Sequence, residues 1–195
     1  MNEAQTANQI GGRATGALFF TGFGALWLVL GLYVREQLHG AAIAGLLLGA
    51  AALLLASLLL PRVPEDPAVS RAFNRINAAQ WIAVGVLAFA LARLHLDAYI
   101  PTAVAAVVGL HLIPLARLFR NRLHYATGAL LLAWAAGSAL LTPSGELQGV
   151  TALGTGAILW LSAAVTLAMG LRSARQTAPQ PRERIPAPDS SAPAA

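Results

Sequence analysis
The chain has 195 residues, 57% hydrophobic and only 11% charged, against roughly 25% charged in a soluble domain. Most of its surface therefore faces something other than water, and the length leaves room for one compact bundle and no separate soluble domain. The absence of cysteine excludes disulfides, thiolate metal sites and thiol nucleophiles, and the net charge of +5 rests on 13 basic residues. All of them are arginine, set at the ends of apolar runs, which points to membrane topology and anionic lipid rather than nucleic acid. Avoidance of lysine suggests a GC-rich, bacterial coding genome.

Residues 1–13 read as a polar tail without the basic start and cleavage pattern of a signal peptide, so the first helix is expected to stay. Six apolar runs follow, at 14–34, 41–60, 72–94, 99–119, 124–141 and 150–171, each long enough to cross a bilayer core of about 30 Å. The first carries Gly16, Gly22, Gly24 and Gly31, which let a neighbour approach closely. The second holds Gly45 and Gly49 in a small-xxx-small pattern, read as packing inside the bundle. A wet loop with three prolines separates it from the third, and Pro101 suits the first turn of the fourth. Residues 172–195, rich in Pro, Ala and Arg, are expected to be a disordered tail.

With the N-terminus placed in the cytoplasm, eleven of the thirteen arginines fall inside and only Arg35 and Arg93 outside. That split follows the positive-inside rule. The expected fold is an all-α, polytopic transmembrane bundle of six spans with both termini cytoplasmic, in a bacterial inner membrane. Trp134 and Trp160 fall near mid-helix and are expected to pack inside the bundle or face acyl chains. The five-residue match between Ala14–Leu18 and Ala126–Leu130 leaves open a duplicated hairpin.

Polar groups inside a bilayer are expensive and tend to be paired, so their positions are informative. No Asp or Glu lies within the expected spans, against a carboxylate-based ion relay. Asn77, Gln80 and Trp81 share one face of the third helix. Gln80 lies about 10 Å from the inner end of its helix and His111 about 12 Å from that of the fourth, at 1.5 Å per residue. The two are level on antiparallel neighbours, so Asn77, Gln80, Trp81 and His111 form a candidate ligand layer. Thr21 and Thr127 are placed to reach it. Pro114 lacks the N–H that the Leu110 carbonyl would receive and is a candidate hinge. Arg71, Arg75, Arg117, Arg120 and Arg122 make a basic inner rim, suited to lipid headgroups or to an anionic ligand's approach. His39 and His95 on the outer side and His124 at the inner edge do not converge with His111 on a metal.

Asn77-x-x-Gln80-Trp81, then Gly109-Leu-His111-x-x-Pro114-Leu-Ala116-x-x-Phe119 and Tyr125-x-Thr127-Gly128, resembles a family of small bacterial multi-helix membrane proteins. The resemblance covers helices three to five. It implies the fold class; the family carries no known activity, so it implies no reaction. The expected function is a small-solute transporter or channel-like protein. The alternative is a non-catalytic assembly or partner-binding protein, with the polar cluster as interhelical glue. No enzyme activity, cofactor or metal is expected. Expected partners are the bilayer and a second copy of the chain or another membrane protein.

Overall fold
The computed structural model describes residues 3–58 and 66–176, with side chains over 16–58 and 66–172. Among these residues there are six α-helices and no strand. They are α1 (Glu3–Val34), α2 (Gly40–Leu58), α3 (Pro67–Arg93), α4 (Ile100–Leu118), α5 (Arg122–Leu141) and α6 (Ser144–Gln176), with a single 3-10 turn at Asp97–Tyr99 leading into α4. All six are long and apolar enough to cross a membrane.

Three helices start earlier than the apolar runs suggest. The first takes in the polar segment from Glu3 onward. The third starts at Pro67, where the Asp66 carboxylate accepts from the Ala68 N–H at 2.8 Å and proline occupies the first turn. That is the favoured arrangement of an acidic N-cap followed by proline. The sixth starts at Ser144, because Leu147 is fully buried and anchors a turn that looks like loop from its two glycines. It also runs to Gln176, into the expected tail. The rest of that tail, from 177, lies outside the described residues, as does 59–65.

The helix at the centre is α6, packed against α1, α5, α4 and α2. Its backbone meets α1 closely: a Cβ on Gly156 would lie 2.9 Å from the Gly24 carbonyl oxygen, and one on Gly31 would lie 2.8 Å from the Leu153 nitrogen. Trp160 fills the space left by Gly24 and Gly49, and its Nε1 donates to the Thr21 carbonyl at 3.1 Å. Trp134 lies over Gly154 in the same way and donates to the Thr151 carbonyl at 3.2 Å. Both tryptophans thus pack inside the bundle. Gly49 does so too, whereas a Cβ on Gly45 would meet nothing within 4 Å. Of the matched glycines at the starts of α1 and α5, Gly16 faces His124 and Gly128 touches the backbone of Gly109. The two occupy different environments.

Burial runs opposite to that of a protein in water. The most apolar helix, α2, buries only Ser57, and α3 buries no residue. Meanwhile α6 buries Thr151, Thr155, Ser162 and Thr166. Exposed leucines around a core in which hydroxyls are buried beside leucines is the arrangement of a bundle whose solvent is apolar, where interhelical hydrogen bonds join the helices. One such chain runs from Thr102 to Thr151 and on to Ser138, each step 3.1 Å. Another joins Thr127 and Ser162 at 2.8 Å.

The turns that end α1, α3 and α4 share one device. Glu36, His95 and Arg120 adopt φ of 55°, 58° and 50°. The next residue's N–H then reaches five residues back, Gln37 to Leu32 at 2.8 Å, Leu96 to Leu91 at 2.9 Å and Asn121 to Ala116 at 3.0 Å. This satisfies otherwise orphaned helix-end carbonyls. The left-handed conformation costs a non-glycine residue roughly 1–2 kcal/mol, so the device is held by the helices packed on either side.

Candidate functional site
The middle of α1, the first half of α3, the second half of α4 and the start of α5 meet around one site. Between them lies a cavity of about 70 Å³. Into it α3 presents Asn77 and Gln80, α4 presents His111, and α5 presents His124. The i, i+3 spacing on α3 puts both amides on one face, with Phe73 one turn before Asn77 on the same stripe.

The walls are aromatic. Five of the chain's six phenylalanines line the cavity, at 19, 20, 23, 73 and 119, and Trp27 joins them. The rings touch in series: Phe23 on Phe19 at 6.1 Å, Phe19 on Phe73 at 5.8 Å, and Phe73 on Phe119 at 6.1 Å. Phe119 meets the His124 imidazole at 6.2 Å, and that imidazole meets Phe20 at 5.4 Å. Among the described residues no Asp, Glu or Arg lines the space.

His124 is only 2% exposed. Gly16 stands opposite, where a Cβ would lie 3.5 Å from the imidazole Cε1, an ordinary packing contact. The His124 Nδ1 is buried without a hydrogen-bond partner among the described residues, and so is Nε2 of His111. An unpaired buried polar group costs about 1–3 kcal/mol, and native proteins leave few of them. Of the three such side-chain atoms among the described residues, two lie on this small cavity, the third being Thr155 Oγ1 on α6, so polar affinity is concentrated here.

Asn77, Gln80 and His111 are thus brought together. Trp81 is not part of the cavity lining: one residue beyond Gln80, it is turned by 100°, stands 52% exposed and meets Phe23 at 6.2 Å. Pro114 is exposed and does not line the cavity, and α4 stays helical across it. Thr21 and Thr127 do not line the cavity either. The Thr21 hydroxyl donates to the Ala17 carbonyl at 2.8 Å, and that of Thr127 is engaged with Leu123 and Ser162. Arg71, Arg75, Arg117, Arg120 and Arg122 are all exposed, outside the cavity.

Sequence reasoning missed His124 and the aromatic walls. The signal for His124 was its spacing of three, four and seven from Thr127, Gly128 and Leu131, all buried on the inward face of α5. Its place beside the arginines suggested an interfacial residue instead. Phe19, Phe20 and Phe23 pass for ordinary apolar residues in a span until their partners on α3 and α4 are seen.

Among the described residues no group of three His, Asp or Glu is placed to hold a metal ion. These residues define an all-helical bundle, apolar on the outside, around an uncharged, aromatic-walled cavity with four polar side chains. Comparison with protein-family models, with curated proteins and with solved structures finds no match.

Proposed function
We propose that this chain is a multi-pass protein of a bacterial inner membrane that binds a small solute between His111 and His124 and passes it on, as a transporter or channel-like protein. The observation that carries this is the pair of buried, unpartnered imidazole nitrogens on one cavity. A largely apolar pocket with a few convergent polar groups is the usual form of a small-molecule site. A space of about 70 Å³ suits a solute of about five to seven water-sized groups, at roughly 10–15 Å³ each. Asn77 and Gln80 supply both donors and acceptors, and neutral imidazoles supply one of each. Pro114, three residues beyond His111, leaves the Leu110 carbonyl without its helical donor, so α4 bends there at least cost.

Positive-inside counting puts both termini in the cytoplasm, and the cavity then lies in the cytoplasmic half, ringed by the five exposed arginines. A reporter active only in the periplasm, fused after Ala195, should stay silent; activity there would reverse the orientation.

The solute reading is tested by a thermal-unfolding screen of purified protein against small neutral solutes. A solute at 100 times its Kd stabilises by about 2.7 kcal/mol, which raises the Tm of a chain this size by roughly 5–10 °C. His111→Ala should abolish that shift while leaving the protein folded. Were the cluster glue alone, no solute would shift the wild type and the variant would only lower the Tm.

A further inference from the structure
The cavity has a weak wall. Phe19 and Phe23 line it on one side, and on the other they line an open groove along α1 with Leu18, Gly22 and Leu26. The two rings lie nearly parallel, 14° apart, as a double leaf between groove and cavity. At this wall α1 and α3 have no extended backbone contact. Side chains bridge them, Phe19 to Phe73 at 5.8 Å and Phe23 to Trp81 at 6.2 Å. By contrast α1 meets α6, and α4 meets α5, by glycine-mediated backbone contact, as between Gly24 and Gly156 or Gly109 and Gly128. A seam shut only by side-chain rotation opens far more readily than one shut by two backbones.

The groove is wholly apolar and faces outward among exposed residues, with Leu18 at 41% and Leu26 at 63%. In a bilayer it meets acyl chains. Resting on the reading of the cavity as a ligand site, we infer that the ligand is an uncharged, ring-headed lipid of quinone type, entering sideways from the bilayer between α1 and α3. Each part of such a molecule finds its counterpart. The planar head lies among aromatic rings, which favour offset or tilted stacking on a second ring. Its two oxygens accept hydrogen bonds from His111, His124 or the amides of Asn77 and Gln80. Its tail lies in the Leu18–Gly22–Leu26 groove. A phospholipid head is disfavoured because, among the described residues, no charged side chain lines the cavity to replace its hydration. The wall that admits the head is aromatic and apolar, so a polar solute arriving from water has no reason to use it. The inference concerns binding and route, and involves no electron transfer.

The test uses the full chain in lipid nanodiscs, with a decyl-tailed 1,4-benzoquinone as probe and glycerol and urea as water-borne comparisons. The quinone should raise the Tm by several degrees, and His111→Ala and His124→Ala should each weaken its binding at least tenfold. Gly22→Leu fills the groove where a Cβ would meet nothing within 4 Å; it should leave the fold intact and slow quinone association about tenfold. Quinone protection that survives both histidine variants, or an association rate unchanged in Gly22→Leu, would overturn the inference. Protection by glycerol or urea that needs both histidines, with none by the quinone, would also overturn it while leaving the cavity a solute site. Protection by neither class would remove both readings.

Discussion

Gly128→Leu should leave almost no folded protein in the membrane. A Cβ on Gly128 would lie 2.7 Å from the Gly109 carbonyl oxygen, and one on Gly109 would lie 2.9 Å from that of Gly128. The backbones of α4 and α5 are in mutual contact there, and neither oxygen can rotate away. Small residues at such crossings are what allow membrane helices to pack. Ordinary overpacking of a core costs about 1–3 kcal/mol and is relieved by side-chain shifts; Gly128→Ala, whose Cβ already meets a backbone oxygen, should lie at or beyond the upper end of that range. Leucine must part the helices themselves, and α4 would carry Leu112 and His111 away from His124 as it moved. Gly137→Leu is the control on the same helix, since its Cβ would meet nothing within 4 Å. Size-exclusion profiles of detergent extracts should show a folded peak for Gly137→Leu and none for Gly128→Leu. Equal peaks would mean that the α4–α5 crossing is looser than its geometry.

The second large effect is a separation of stability from binding at His124. Replacing it by leucine removes a buried unpartnered nitrogen, a gain of about 1–3 kcal/mol. It also removes ring contacts with Phe20 and Phe119, a loss of about 0.5–1.5 kcal/mol each. The two nearly cancel, so His124→Leu should unfold within about 1 kcal/mol of the wild type, while solute protection falls at least tenfold. Conserved stability with lost function is the usual signature of a polar group kept for binding. If the imidazole were glue, the order would reverse: the variant would lose stability and any solute shift would persist.

The unequal legibility of fold and site has a physical cause. Length and hydropathy in six runs, with arginine at their ends, suffice for six helices because a bilayer-length apolar segment has few alternatives. The start of α3 was legible in Asp66-Pro67, a cap followed by a first-turn proline, but sat unread within a proline-rich loop. The start of α6 was not legible locally: Gly145 and Gly149 argue for loop, and it is the tertiary burial of Leu147, with Gln148 donating to the Asp97 carbonyl at 3.0 Å, that makes the turn helical. The same division runs through the site. Asn77, Gln80 and His111 could be matched by counting depth along two antiparallel helices. Trp81 could not be separated from them at that resolution, since a face read from spacing of three and four is broad enough to include its flank. His124 is buried against Phe20 of α1 and Phe119 at the end of α4, partners that the spacing on its own helix does not show.

The central claim is that His111 and His124 hold one ligand between them. It is tested most directly by nitrogen-15 NMR of histidine-labelled protein in nanodiscs, with and without the solute that most raises its Tm. Of the four histidines, His39 and His95 are exposed and lie outside the cavity. The imidazole resonances of His111 and His124 should move together on titration, with one Kd, while those of His39 and His95 stay still. Movement at His39 or His95 with none at the buried pair would contradict it.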